Sequence, residues 1–149
     1  MNKTIIGVYG GVKEGKSSTI KMVCKKLLSD FPNAITDDKN INYNADINLI
    51  IKLGKIWIGI ESQGDPNSRM ITEDTIKKLA FEECQIIICA TRTSGETVKK
   101  VDSIANKFDY STIWKSSYFT SDSNNFETLN RMAAEEIIGL IKSLIAGQI

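Results

Sequence analysis

The residues Gly10-Gly11-Val12-Lys13-Glu14-Gly15-Lys16-Ser17 have the types and spacing that hold phosphate. Glycines let the backbone wrap with its N–H groups turned inward, and a helix that starts at the end of the wrap adds the positive end of its dipole. Lys16 is placed to reach the terminal phosphates of a bound chain of phosphates, and the hydroxyl of Ser17, which Ser18 follows, is placed to ligate Mg²⁺. Gly10 through Ser18 are therefore candidate binding residues, with Lys16 also a candidate catalytic cation.

Context gives this pattern its weight, because a phosphate loop should follow a buried strand and open a helix. Thr4-Ile5-Ile6-Gly7-Val8-Tyr9 is a nearly unbroken apolar run of β-forming residues, as in a strand covered on both faces. Ile20, Val23, Cys24, Leu27, Leu28 and Phe31 then recur at helical spacing until Pro32. With these residues the chain resembles the P-loop NTPase superfamily, most of its length as an architecture and its first half in specific motifs. The resemblance implies Mg²⁺ and a nucleoside triphosphate, ATP by default, as ligands.

A second segment belongs with the first. Ile56-Trp57-Ile58-Gly59-Ile60 ends in Glu61-Ser62-Gln63-Gly64-Asp65 and looks like a Walker B strand running into a DxxG-type switch, with Glu61 where that motif has Asp. The resemblance implies Glu61 as a metal and catalytic residue alongside Ser17, Gly64 as a backbone approach to the γ-phosphate, and Asp65 as a further metal candidate. Gln63 is a candidate for orienting water. The chain has three arginines. Arg92, at the end of an apolar strand, and Arg69, just past Asp65, suit the neutralisation of a transferring phosphoryl group, whereas Arg131 reads as a solvated helix residue. Asn106-Lys107-Phe108-Asp109 spells a guanine-reading pattern, but it ends a helix instead of following a strand and is set aside.

The elements that must position these residues alternate. Ile47, Leu49, Ile51 and Leu53, then Ile56, Ile58 and Ile60, predict a hairpin about Gly54-Lys55 in which Leu53 faces Ile56, Ile51 faces Ile58 and Leu49 faces Ile60. By parity Trp57, Gly59 and Glu61 point to the opposite face. Asn33 to Asp46 reads as a long polar loop with a possible short strand at Ala34-Ile35-Thr36. A helix over 71–83 capped by Thr72, a buried strand over 85–90, a helix opened by a Thr93-x-x-Glu96 capping box, a weaker strand over 110–118 and a last helix from about Asn124 to about Ile145 follow. The expected fold is α/β: a three-layer, doubly wound, mostly parallel five-stranded sheet with one antiparallel hairpin strand, of the P-loop NTPase kind. Its ligand should lie at the carboxyl ends of the strands, among the loops after Tyr9, Ile60 and Ala90.

Composition narrows the chemistry. The 149 residues suit one domain, 1–149. With 19 basic and 18 acidic residues and a net charge of +1, no field argues for nucleic acid or an anionic membrane, so any anion site is local. There is no histidine, which excludes His-based acid–base catalysis and His metal ligands. Cys24, Cys84 and Cys89 lie in apolar stretches without metal-ligand spacing and read as core thiols of a reducing compartment. No leader or membrane-length apolar run is evident, and the expected location is cytoplasmic. Three function classes follow: a slow nucleotide hydrolase or switch, favoured by the Ras-like hairpin and loop; a small-molecule or nucleotide kinase; and a non-enzymatic nucleotide-binding module acting through a protein partner, which would supply an arginine.

Overall fold

The structure, a computed structural model, describes residues 1–11 and 15–149. The readings that fall on Val12, Lys13 and Glu14 lie outside the described residues. Branched aliphatic runs build the sheet: β1 (Thr4–Tyr9), β2 (Ile35–Thr36), β3 (Asn48–Leu53), β4 (Ile56–Glu61), β5 (Ile86–Thr91) and β6 (Ser111–Ser116). They lie in the order β2-β3-β4-β5-β1-β6. β4, β5, β1 and β6 are mutually parallel, while β3 runs antiparallel to both β2 and β4. The sheet thus has six strands where five were expected; the short run at Ile35-Thr36 pairs with Lys52 and Ile51 and forms the edge.

The hairpin has the expected register, with Leu49 opposite Ile60, Ile51 opposite Ile58 and Leu53 opposite Ile56. Gly54 supplies the positive φ, +62°, that a tight turn of this length demands. Alternation then sends Leu49, Ile51, Ile58 and Ile60 into one core, shared with helices α1 (Lys16–Asp30) and α5 (Phe126–Ile145). The apolar residues of these helices recur at three- and four-residue spacing, Ile20, Val23, Cys24 and Leu27 on α1 and Ile137, Ile141 and Leu144 on α5, so each presents one stripe. The opposite face carries α2 (Arg69–Thr72), α3 (Thr75–Phe81) and α4 (Glu96–Phe108) over Ile5, Ile50, Ile87 and Cys89. Gly7 is required on that face because a β-carbon there would stand 2.4 Å from the Trp114 ring on β6.

Three local readings are corrected. The helix expected over 71–83 is two, divided at Glu73-Asp74 where Asp74 takes φ +54°, and Thr72 closes the first of them instead of capping a longer one. Thr93 does not cap α4; Gly95 holds the N-cap position with φ +91°, and the Thr97 hydroxyl accepts from the Arg92 N–H. A short 3₁₀ turn, Ser123–Asn125, precedes α5. Asn106-Lys107-Phe108-Asp109 closes α4 ahead of the amino end of β6, with Asp109 at φ +59° as its left-handed cap and Phe108 edge-on to Phe81. Among the described residues no helix is long and apolar enough to cross a membrane.

The chain leaves β1 through α1 on one face and leaves β5 through α4 on the other. The carboxyl ends of these neighbouring strands therefore border a crevice. All three cysteines are free and buried. Burial pushes the Cys84 and Cys89 thiols up to about 12 and raises Cys24 as well. A raised thiol contributes stability below its unfolded value of about 8.5, and that contribution is lost as pH rises toward the folded value. At pH 8 the folded protein should therefore resist a thiol-exchange reagent that labels all three cysteines once urea is added, and urea midpoints should fall above about pH 9. Prompt labelling of Cys89 in the folded protein would contradict this packing.

Candidate functional site

Lys16 opens α1 after Gly15, whose φ of +74° only glycine adopts at no cost. Gly15 is needed for a second reason: a β-carbon there would lie 2.3 Å from the Asn130 side-chain oxygen on α5. The Lys16 side chain is 7% exposed, and its ammonium donates to the carbonyls of Gly10 at 3.0 Å and Thr91 at 2.7 Å. These are the residues just past β1 and at the end of β5, so the cation sits in the crevice between the two strands.

In front of it opens a cavity of about 780 Å³. Its floor is polar, with Ser17, Asp46 and Ser62 meeting at one point. The Ser17 hydroxyl donates to Asp46 Oδ1 at 2.6 Å and the Ser62 hydroxyl to the same oxygen at 2.8 Å. Ser62 is in turn fixed by a reciprocal pair with Ile47, whose N–H donates to the Ser62 hydroxyl at 2.8 Å and whose carbonyl accepts from the Ser62 N–H at 3.0 Å. Burial raises the Asp46 carboxyl, but the hydrogen bonds from Ser17 and Ser62, with the charges of Lys21 and Arg69, outweigh it and hold the group below the usual carboxylate range. The other end of the cavity is aromatic, bounded by Tyr118 and Phe119 from the segment linking β6 to α5 and by Phe126 at the start of α5. Phe119 is 78% exposed and Phe126 45%, a large apolar surface left open beside a polar floor.

The residues expected around the phosphates divide. Gly10, Gly15, Lys16, Ser17 and Ser18 gather at the start of α1, with Gly64 and Asp65 on the facing wall. Gly64 passes over the end of β5 so closely that a β-carbon would lie 2.1 Å from the Ala90 carbonyl oxygen. Glu61 is apart from this group. It is fully buried on the α2 side of the sheet, and Arg69 grips it with Nη2 at 2.8 Å from Oε1 and Nε at 3.0 Å from Oε2. Asn48 donates to Oε2 at 2.8 Å and the Gln63 N–H to Oε1 at 3.0 Å. Gln63 accepts from the Arg69 N–H at 3.1 Å, so the side chain read as a water-orienting group anchors α2. Arg92 pairs with Asp65 at 2.9 Å on the rim.

Sequence reading passed over Asp46, Ser62 and the three aromatic residues. Ser62 had a signal, since it follows Glu61 by one residue and must face the α1 side of the sheet. Asp46 had none, being one acid in a loop rich in Asn and Asp. The donors at the cavity floor are all hard oxygens, which suits Mg²⁺. Among the described residues no three His, Cys, Asp or Glu side chains converge, so an ion here would complete its shell with ligand oxygens and water.

Removing one partner of the Glu61–Arg69 pair should cost stability. Glu61→Gln is expected to lose about 2–4 kcal/mol, discounted from the value for a fully buried pair because Arg69 stays partly wetted. The corresponding fall in Tm is roughly 5–10 °C by thermal unfolding, and an unchanged Tm would remove the structural role. No known family, no curated protein and no solved structure matches this chain.

Proposed function

We propose that this chain is a P-loop NTPase domain that binds Mg²⁺ with a nucleoside triphosphate, ATP by default, and hydrolyses it slowly. The observation that carries the reading is the buried Lys16 ammonium, held between the ends of β1 and β5 and bordering a cavity of nucleotide size. Triphosphate would lie along the glycine-rich loop with Lys16 turned from the two carbonyls to its terminal oxygens. The base would lie toward Tyr118, Phe119 and Phe126, whose faces suit stacking.

Catalysis at such a site is positioning and charge neutralisation. Lys16 and the backbone N–H groups supply these, and Mg²⁺ when bound adds Lewis-acid stabilisation of the phosphoryl oxygens. Slow turnover follows from the partners of the other groups. Glu61 is engaged with Arg69. Gln63 lines the cavity but its side-chain oxygen is taken by the Arg69 N–H, and Arg92 is held by Asp65 until an anion displaces it, so among the described residues no water-orienting oxygen or unpaired guanidinium stands ready there. The same engagement counts against the kinase reading, which needs cations for an acceptor. It leaves room for a protein partner that contributes an arginine.

Calorimetric titration with ATP and with GTP, each with Mg²⁺, should give saturable binding that Lys16→Ala weakens by about a hundredfold, or roughly 2.7 kcal/mol. Circular dichroism should show the variant folded. Equal affinity in wild type and variant would remove the proposal, and a preference for GTP would replace ATP as the ligand.

A further inference from the structure

We infer that Asp46, and not Glu61, is the carboxylate with which this chain meets the divalent ion of its nucleotide. The inference rests on the nucleotide reading and goes beyond it by reassigning the metal ligand. The argument begins with strand parity. Side chains along β4 alternate between the two faces of the sheet, so Glu61 is carried to the face opposite Ile60, whereas α1 and the hydroxyl of Ser17 belong to the same side as Ile60. A carboxylate at position 61 that follows this alternation turns away from Ser17.

Hydrogen-bond capacity points the same way. A carboxylate offers about four acceptor positions. The oxygens of the fully buried Glu61 already take the guanidinium of Arg69, the amide of Asn48 and the N–H of Gln63. Pulling Glu61 to a cation would take a fully buried carboxylate off the donors that compensate its burial, which is strongly unfavourable.

Asp46 meets both requirements that Glu61 fails. It lines the cavity, and its Oδ1 accepts from Ser17 at 2.6 Å and from Ser62 at 2.8 Å. A serine hydroxyl that donates its proton to a carboxylate keeps its lone pairs for a cation. The pair Ser17–Asp46 is therefore arranged as a ligand hydroxyl with its proton acceptor, and Asp46 brings the negative charge a hard ion requires. Ser62, locked to Ile47 by its reciprocal bonds, holds Asp46 in register with the end of β4.

The test compares ATP affinity with and without divalent metal, by calorimetry, and bound Mn²⁺ in the ternary complex by electron paramagnetic resonance. In the wild-type chain metal should raise ATP affinity tenfold or more. Asp46→Asn should reduce that gain to less than twofold and release Mn²⁺, with metal-free affinity equal or higher because a negative charge has left the phosphate site. Glu61→Gln should keep the full gain despite its lower Tm. Asp46→Cys should lose the gain with Mg²⁺ and recover it with Cd²⁺, which a purely structural role of Asp46 would not produce. A full metal gain in Asp46→Asn, its loss in Glu61→Gln, or a wild-type affinity indifferent to metal overturns the assignment while leaving nucleotide binding in place. Failure of the wild-type chain to bind ATP or GTP under any condition overturns the nucleotide reading, and this assignment with it.

Discussion

A lysine ammonium taken out of water between two backbone carbonyls is the constraint around which the rest of this fold is arranged. Burying an unpaired ammonium is prohibitive, and Gly10 and Thr91 offset that penalty by presenting their carbonyls to Lys16 from the ends of adjacent parallel strands. Those strands are adjacent because β5 inserts between β4 and β1. Its all-apolar run, Ile86 to Ala90, is buried on both faces, as the central position of a parallel sheet demands. The cation thus depends on the topology, and the topology on one uninterrupted hydrophobic strand. Gly64 belongs to the same dependence. The segment after β4 reaches the cavity only by crossing the end of β5 in contact with the Ala90 carbonyl, where no side chain fits.

The end of β4 divides the polar residues into two networks. Glu61 and Ser62 are consecutive, and the period of two sends them to opposite sides of the sheet. On one side Glu61, Arg69, Asn48 and Gln63 form a closed set that fastens α2 to the sheet. On the other, Ser62 joins Asp46 and Ser17 on the cavity floor. The first network closes on a fully buried carboxylate, and the second lines the cavity and joins a carboxylate to hydroxyls that can reorient. Rigidity and ligand chemistry are separated by one residue of register.

Much of this fold was legible in the sequence. The hairpin register could be read pair by pair because alternation and a two-residue glycine turn both fix it. The helical stripe of α1 was equally plain, whereas spacing alone would put Phe126 on the inward stripe of α5 and the structure leaves it 45% exposed beside the cavity. What could not be read depends on contacts distant along the chain or on single backbone angles. Asp46 acquires its meaning from Ser17, 29 residues away, and is otherwise one polar loop residue among many. The division between α2 and α3 comes from a left-handed Asp74, a conformation aspartate tolerates without advertising it. Glu61 is the instructive residue. Its parity pointed away from the cavity, but an acid after an apolar strand resembles a metal ligand so closely that the motif outweighed the geometry.

The two arginines near the cavity differ in how far they can answer an anion. Arg69 is tied to a carboxylate with no exposure, through several hydrogen bonds, and separating that pair would leave a buried charge unmatched. Arg92 holds Asp65 by one contact on the rim, with the side chains 29% and 59% exposed. An exposed pair of this kind contributes about 0–1 kcal/mol, less than one charge-assisted bond to a phosphate oxygen returns. Water can take over Asp65 as Arg92 leaves it, whereas Glu61 has no exposed surface. Among the described residues near the cavity, Lys16 stands in the crevice between β1 and β5 and Arg69 is committed to Glu61. Arg92 has a partner that can be exchanged at small cost, so adjustment of an arginine to a charged ligand should occur at the end of β5 and leave α2 where it is.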